Sequence, residues 1–188
     1  MVSDFRKKKL AYVYKKLYDP KNTGFVTKND FDMAMKYVAK VQGWKEGEID
    51  RKAAEQTMLQ IWEGLSKAAD KDTDGKITEN EWVTMWIAQD KNSMAEWQKQ
   101  YCKVLFHIQD ASSDGVLDGD EFVQVHVKFN VPEGEATEAY KKLSGGKTTI
   151  SWEDFENLYK DFFFSDDESA PGNFLFGTTT ASETNGAL

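Results

Sequence analysis

The chain has 188 residues, enough to bury one sizeable core without disulfide bonds. Its hydrophobic fraction of 40%, charged fraction of 30% and mean hydropathy of −0.64 indicate a globular, soluble protein rather than a disordered or fibrous one. The 32 acidic and 24 basic residues give a formal net charge of −8, which disfavours nucleic acid as a partner and favours cations or basic peptides.

The sequence shows no signal for membrane insertion or secretion. No apolar run approaches the ~20 residues that cross a bilayer, so we expect no transmembrane segment. The residues after Met1 show neither a secretory signal nor a myristoylation glycine. A single cysteine, Cys102, cannot form an internal disulfide. We therefore expect a cytoplasmic protein.

A twelve-residue pattern recurs four times, each time between stretches with helical apolar spacing. The four copies are Asp19–Asp30, Asp70–Glu81, Asp110–Glu121 and Leu143–Asp154. A hard cation such as Ca²⁺ needs six to eight oxygen ligands, and a loop of this length supplies them from positions 1, 3, 5, 7, 9 and 12. Position 7 contributes its backbone carbonyl, and position 6 needs glycine for a sharp bend.

The first loop departs from this pattern at positions 3 and 5. It has Asp19 and Asp30 at its ends, but Lys21 stands at position 3 and Thr23 at position 5. An aspartate at the closing position favours the smaller Mg²⁺. Binding of Ca²⁺ or Mg²⁺ by this loop therefore stays open.

The second and third loops carry the full pattern. In the second loop the predicted ligands are Asp70, Asp72, Asp74, the carbonyl of Lys76, Thr78 directly or through water, and Glu81. In the third loop they are Asp110, Ser112, Asp114, the carbonyl of Val116, Asp118 and Glu121. Solvated acidic turns are the alternative, but four carboxylates at these offsets would repel one another without a cation. Two Ca²⁺ ions are thus predicted, with Mg²⁺ competing.

The fourth loop lacks acids at positions 1, 3 and 5, where Leu143, Gly145 and Lys147 stand. We expect it to bind no ion and to serve as a structural partner of the third loop. The eighth residues of the loops should pair in short antiparallel contacts, Val26 with Ile77 and Leu117 with Ile150.

Helix starts are predicted where a hydroxyl residue precedes an acid by three positions. The four such pairs are Thr27 with Asp30, Thr78 with Glu81, Ser93 with Glu96, and Ser151 with Asp154.

Candidates for catalysis are few, so no catalytic residue and no enzymatic activity are predicted. Cys102 and His107 are five residues apart on one predicted helix and do not face each other, and core packing accounts better for both. The six tryptophans, mostly at apolar helix positions, are predicted to pack in the core.

These loops are EF-hands, and the chain resembles the invertebrate sarcoplasmic calcium-binding proteins, especially their calexcitin-like branch. The resemblance rests on four units, a degenerate fourth loop and the tail motif Gly172–Gly177. It implies an all-α fold in which two EF-hand pairs form one compact globule and the tail folds back. Phe174, Leu175 and Phe176 would then plug a hydrophobic surface between the lobes that calmodulin-like sensors leave open. The implied parts are an N-terminal pair in residues 1–90, a C-terminal pair in 91–164 and a tail in 165–188.

Three functions are compatible with this pattern. The leading hypothesis is a calcium buffer. The alternative is a calexcitin-like sensor that exposes apolar surface to a basic amphipathic helix when Ca²⁺ binds. A calcium-triggered photoprotein or luciferin carrier would share the fold, but its second loop is the degenerate one, unlike the second loop here.

Overall fold

The protein is described here by a computed structural model, which covers residues 2–43, 45–90 and 92–177. Within these residues the all-α prediction is confirmed, because helices dominate and the strands are three residues long. The α-helices are α1 (Asp4–Val13), α2 (Lys28–Gln42), α3 (Ile49–Ala69), α4 (Glu79–Ala88), α5 (Glu96–Gln109), α6 (Gly119–Lys128), α7 (Glu133–Ser144) and α8 (Trp152–Phe164). The strands are β1 (Phe25–Thr27), β2 (Lys76–Thr78), β3 (Val116–Asp118) and β4 (Thr149–Ser151).

The strands pair as the repeat predicts. β1 is antiparallel to β2 with Val26 opposite Ile77, and β3 is antiparallel to β4 with Leu117 opposite Ile150. All four residues are buried, at 2% exposure or less. Each pair of loops is therefore joined through its eighth residues.

Two compact units contain these pairs. The β1–β2 unit spans Val13–Tyr101, and the β3–β4 unit combines Met1–Tyr12 with Cys102–Leu188. The division of the chain at residues 90 and 164 stays a prediction. None of the helices in the described ranges has both the length and the apolar character needed to cross a membrane.

The helix starts follow the predicted caps with one exception. The Thr78 and Ser151 hydroxyls accept hydrogen bonds from the backbone N–H groups of the third helical residues. The predicted start at Ser93 is wrong, since α5 begins at Glu96 and the Ala95 N–H donates to Gln98 Oε1 at 2.8 Å. A side-chain amide there replaces the hydroxyl that the pattern favoured.

An unpredicted π-helical turn, Tyr14–Tyr18, continues α1 into the first loop. Its wider hydrogen bond runs from the Asp19 N–H to the Tyr14 carbonyl at 2.9 Å. Nothing in the apolar spacing distinguishes such a turn from an ordinary helical turn.

The cores of both units are rich in aromatic rings, as predicted. Trp62, Trp82, Trp86 and Trp97 are buried in the β1–β2 unit, whereas Trp152 is only half-buried. Trp44 lies outside the described residues. The rings of Trp82 and Trp86 are 5.6 Å apart and those of Trp86 and Trp97 are 5.7 Å apart, both in edge-on contact.

Candidate metal centres

The second loop brings three carboxylates together. α3 ends at Ala69, and Asp70, Asp72 and Asp74 follow with one oxygen of each within 4.8 Å of the others. Among the described residues, this is the one such cluster of three acidic, histidine or cysteine side chains. Like charges at this separation repel, and an all-oxygen set of this kind fits a hard divalent cation.

The backbone of the loop holds these carboxylates in place. Asp70 accepts hydrogen bonds from the N–H groups of Asp74 at 3.2 Å and Gly75 at 3.0 Å. Gly75 has a φ of +78°, a left-handed value that suits glycine at the sixth position. The Lys76 ammonium lies 4.6 Å from the centre of the Phe25 ring, an attractive cation–π contact.

Glu81 spans the two ends of the second loop. Its Oε1 accepts from the Lys71 N–H at 3.3 Å, and its Oε2 accepts from the Thr78 N–H at 2.9 Å and hydroxyl at 2.8 Å. Burial raises the pKa of Glu81, but the hydrogen bonds from Thr78 and Lys71 outweigh it and leave the pKa below its usual value. The carboxylate is thus charged and stands where the closing ligand is expected.

The third loop repeats this arrangement. Asp110 accepts from the Asp114 N–H at 3.2 Å and the Gly115 N–H at 3.1 Å. Glu121 again spans the loop, accepting from the Ser112 N–H at 2.8 Å through Oε1 and the Asp118 N–H at 3.2 Å through Oε2.

Two details distinguish the third loop from the second. The Ser112 hydroxyl lies 3.5 Å from an oxygen of Asp110, where the second loop has a carboxylate. Asp118 also caps α6, because its Oδ1 accepts from the Glu121 N–H at 2.8 Å. Sequence reasoning named Asp118 as a ligand but missed this cap, although an aspartate three residues before a glutamate was a visible signal.

The carboxylates of the first loop accept hydrogen bonds from within the loop. Asp19 is buried and accepts from the Thr23 N–H at 2.7 Å, the Thr23 hydroxyl at 2.9 Å and the Gly24 N–H at 2.7 Å. Asp30 accepts from the N–H and hydroxyl of Thr27. Burial raises the pKa of Asp19, but the bonds from Thr23 and Gly24 together hold it below its usual range.

In the fourth loop, a lysine side chain forms an ion pair with the acid at the last loop position. The Lys147 ammonium, at position 5, lies 2.9 Å from both oxygens of Asp154 at position 12. This hydrogen bond is the main reason that the pKa of Asp154 is lowered. Sequence reasoning noted the lysine as a missing ligand but did not foresee the ion pair.

In each acid-rich loop, a backbone carbonyl also lies within hydrogen-bond distance of a tyrosine hydroxyl from the segment that precedes the other loop of the same pair. Tyr14, in the turn before the first loop, donates to the Ile77 carbonyl at 2.6 Å. Tyr140, in α7, lies 3.0 Å from the Leu117 carbonyl and 2.9 Å from the Thr148 carbonyl. These contacts could not be predicted from the sequence, since both tyrosines occupy ordinary apolar helix positions.

The tail packs on the β3–β4 unit. Its 3₁₀ turn, Pro171–Phe174, contacts α7 and α8. Leu175 is fully buried, and the Phe176 ring lies 4.7 Å from that of Phe162. Phe174 is half-buried, with the Lys142 ammonium 4.9 Å from its ring centre. Residues 178–188 of the predicted tail lie outside the described residues.

The buried side chain of Asn173 forms hydrogen bonds within the tail and to α1. The Asn173 amide donates to the carbonyls of Asp167 and Glu168 at 3.0 Å each, and its oxygen accepts from the Lys9 ammonium at 2.7 Å. Lys9 also donates to the Asp161 and Ser165 carbonyls at the end of α8. Burial, with help from Arg6, lowers the pKa of Lys9 to about 8.

The two residues considered for catalysis are placed differently from each other. Cys102 is buried, and this burial raises the pKa of its thiol to about 12, which suppresses the thiolate. His107 is exposed, so the prediction of core packing is wrong for it. It falls on the outer face of α5.

In the part of the chain that the structure describes, four helix–loop–helix units are joined in pairs through short antiparallel strands, which defines the class of the molecule: it has an EF-hand fold. No protein-family model matches the chain. The chain is 27% identical to calexcitin-1 of Caenorhabditis elegans over 181 residues, which cover 94% of this chain and 88% of that protein.

Sarcoplasmic calcium-binding proteins are similar over the same span. Those numbered II, V, VI and VII of Branchiostoma lanceolatum are 26% identical over 182 residues, covering 94% of this chain and 98% of theirs. The solved structure of a sarcoplasmic calcium-binding protein from amphioxus superposes with a TM-score of 0.82 at 23% identity, covering 95% of this chain and 99% of that one. The chain is therefore a homologue of calexcitin and the sarcoplasmic calcium-binding proteins, which confirms the resemblance seen in the sequence.

Proposed function

We propose that this protein is a cytoplasmic, non-enzymatic Ca²⁺ buffer that binds two ions, one in the second loop and one in the third. The observation that carries the proposal is the convergence of Asp70, Asp72 and Asp74 at one point of a loop that Glu81 closes. The matching hydrogen bonds of Asp110 and Glu121 extend it to the third loop. The names of its relatives, calexcitin and sarcoplasmic calcium-binding proteins, agree with it.

Binding in each loop follows from the same donor set. In each loop the side chains at positions 1, 3, 5 and 12, the carbonyl of Lys76 or Val116 at position 7, and Thr78 or Asp118 at position 9 would form the oxygen shell around Ca²⁺. The two ions would change the formal net charge from −8 to −4, because each brings two positive charges. Ca²⁺ should therefore stabilise the fold by relieving repulsion and by mass action. Mg²⁺ would compete for the same oxygens.

Calorimetric titration of Ca²⁺ tests the two sites. The unaltered chain should bind two ions, whereas Glu81→Gln and Glu121→Gln should each bind one. Glu79→Gln and Asp120→Asn are matched controls, since both residues neighbour the closing glutamate but lie outside the predicted ligand set. Unchanged stoichiometry in both glutamate variants would overturn the assignment.

The buried tail supports a buffer rather than a sensor. The Phe176 ring packs against Phe162 and Phe163 of α8 and Leu175 is fully buried, and a covered surface is closed to a target helix. Fluorescence of a hydrophobic dye, recorded while Ca²⁺ is added in millimolar Mg²⁺, should rise little. A Phe176→Glu variant should bind the dye and serves as the positive control. A large rise with the unaltered chain would instead establish the sensor alternative, with a basic amphipathic helix as the partner to seek.

A further inference from the structure

In each acid-rich loop, one backbone peptide group donates a hydrogen bond to the closing glutamate. In the second loop, the Thr78 N–H donates to Glu81 Oε2 at 2.9 Å. In the third loop, the Asp118 N–H donates to Glu121 Oε2 at 3.2 Å. The carbonyl oxygens of these same two peptide groups belong to Ile77 and Leu117.

Both carbonyl oxygens are contacted by a tyrosine hydroxyl. Tyr14 donates to Ile77 at 2.6 Å, and Tyr140 lies 3.0 Å from Leu117. Each tyrosine comes from the helix that enters the acid-poor loop of the same pair. Tyr14 stands five residues before the first loop and Tyr140 three residues before the fourth. Because two different helical registers deliver a hydroxyl to the same loop position, the contact is not a by-product of the repeat.

The two hydrogen bonds on each peptide group reinforce one another. A hydroxyl that donates to a carbonyl polarises the amide, so its N–H becomes a better donor to the carboxylate. Burial raises the pKa of Tyr140 to about 12, with Asp118 and Glu121 adding to the effect, and burial likewise raises the pKa of Tyr14. Both hydroxyls therefore keep their protons at neutral pH and remain donors.

The orientation of the closing glutamate affects the binding of Ca²⁺ more than the binding of Mg²⁺. Ca²⁺ accepts six to eight oxygens and uses both oxygens of this glutamate. Mg²⁺ requires a near-octahedral shell and retains several waters, so it depends less on bidentate closure.

We propose that Tyr14 and Tyr140 are positioning residues that orient Glu81 and Glu121, each through one peptide group, and thereby favour Ca²⁺ over Mg²⁺. This inference rests on the proposed function, since it requires that the two loops bind metal. The helices that lead into the first and fourth loops would thus contribute to metal selection by the second and third loops.

The test uses full-length chains that retain one loop each. Tyr140→Phe is combined with Glu81→Gln, which leaves the third loop, and Tyr14→Phe with Glu121→Gln, which leaves the second. Removal of a group that orients a metal ligand costs about 10- to 100-fold in affinity, so we expect a loss of about 10-fold for Ca²⁺. The loss for Mg²⁺ should be at most about twofold, because that ion does not depend on bidentate closure.

The matched control combines each tyrosine substitution with the other glutamate substitution, so that the remaining loop is the one that the tyrosine does not contact. Tyr14→Phe should leave Ca²⁺ binding by the third loop unchanged, and Tyr140→Phe should leave the second loop unchanged. In the metal-free protein, the NMR signal of the Thr78 or Asp118 amide proton should move upfield in the corresponding variant. Replacement of either tyrosine by 3-fluorotyrosine, a stronger donor with nearly the same shape, should move the same signal downfield and covers the case of a variant that folds poorly.

The outcomes separate this inference from the function on which it rests. Failure of the Glu81→Gln and Glu121→Gln chains to bind any Ca²⁺ would refute the proposed function itself. One bound ion whose affinity is unaffected by the tyrosine substitution would overturn the positioning role alone. Equal losses for Ca²⁺ and Mg²⁺ would reduce the tyrosines to structural contacts and would likewise overturn it.

Discussion

The first and fourth loops both depart from the full set of metal-binding oxygens, and different groups contact the carboxylates that remain. In the first loop, Asp19 accepts hydrogen bonds from Thr23 and Gly24. Asp70 and Asp110 accept hydrogen bonds at the same relative positions in the acid-rich loops. In the fourth loop, the ammonium of Lys147 binds Asp154 directly.

The two loops therefore differ from a metal site to different degrees. The first loop retains the backbone course, including a glycine at position 6 with a φ of +91°. The fourth loop has Thr148 at position 6 and the buried Leu143 at position 1. We infer that the first loop lacks only oxygen donors, whereas the fourth has also lost the shape that would use them.

The largest expected effect is the restoration of a site in the first loop. Lys21→Asp combined with Thr23→Asp should raise the Ca²⁺ stoichiometry from two to three, because it places carboxylates at positions 3 and 5. The added site should have a dissociation constant of about 10 μM or tighter, measured by calorimetry. Gly145→Asp combined with Lys147→Asp is the matched change in the fourth loop and should leave the stoichiometry at two. A third ion in that variant would contradict the distinction between the loops.

The tail is the next place to test, since it is attached to the β3–β4 unit. In Gly172→Ala, the added methyl group would lie 2.5 Å from Asp161 Cβ and 2.9 Å from the Phe162 nitrogen. Such overpacking should lower the free energy of unfolding by about 1–3 kcal/mol in urea titrations followed by far-UV circular dichroism. Gly134→Ala in α7 has no atom within 4 Å of its new methyl group and should be neutral or slightly stabilising. Equal stability of the two variants would show that the tail does not need its close approach to α8.

A pH dependence should come from Lys9 in the same unit. Its pKa falls from the usual 10.5 to about 8 on folding, mainly through burial. Between these two pH values the unfolded chain holds the proton more tightly, so the free energy of unfolding should rise with pH, by on the order of 1–3 kcal/mol. Below pH 8 both states are protonated, and the cost of burying the ammonium is fully present.

The comparison of Lys9→Met with the unaltered chain isolates this rise. The variant should have a flatter profile of unfolding free energy between pH 8 and 10. Lys8→Met, at the exposed neighbouring position, should keep the original slope. A slope that survives in Lys9→Met would assign the pH dependence to another group.

The smallest expected effect concerns the ion pair between Lys147 and Asp154 in the fourth loop. Lys147→Met should cost less than about 1 kcal/mol of unfolding free energy, because both partners are partly exposed and water screens them. The pKa of Asp154 is lowered by Lys147, so the stabilisation should be fully present above the unfolded pKa of about 4 and decrease as the pH falls from there through the lower pKa of the folded state. Urea titrations at pH 7 and pH 3 check this, and 1 M salt should weaken the difference at pH 7. A difference that is as large at pH 3 as at pH 7 would contradict the ion-pair explanation.

The loop pattern could be predicted because its signals are local. The twelve-residue spacing predicts the pairing of Val26 with Ile77 and of Leu117 with Ile150, since a loop of fixed length places its eighth residue at a fixed point. The ligand positions follow from the same spacing and remain predictions until metal binding is measured.

Contacts that depend on tertiary packing could not be predicted in the same way. Lysine is rarely buried, so nothing in the letters around Lys9 indicates its bond to Asn173, 164 residues away. Tyr14 and Tyr140 occupy apolar helix positions, and only the folded chain shows that their hydroxyls reach loop carbonyls. The Lys147 ion pair lies between these extremes, because loop positions 5 and 12 face the same point once the fold is known.

The uneven placement of tryptophan has a consequence for optical measurements. Five of the six tryptophans fall within the sequence range of the β1–β2 unit, and Trp152 is the one in the range of the other. Intrinsic emission is therefore weighted heavily toward one unit, while circular dichroism averages over the helices of both. If the units unfold separately, an emission melt would underreport Gly172→Ala. Coincidence of the emission and dichroism curves would show that the two units unfold as one cooperative block.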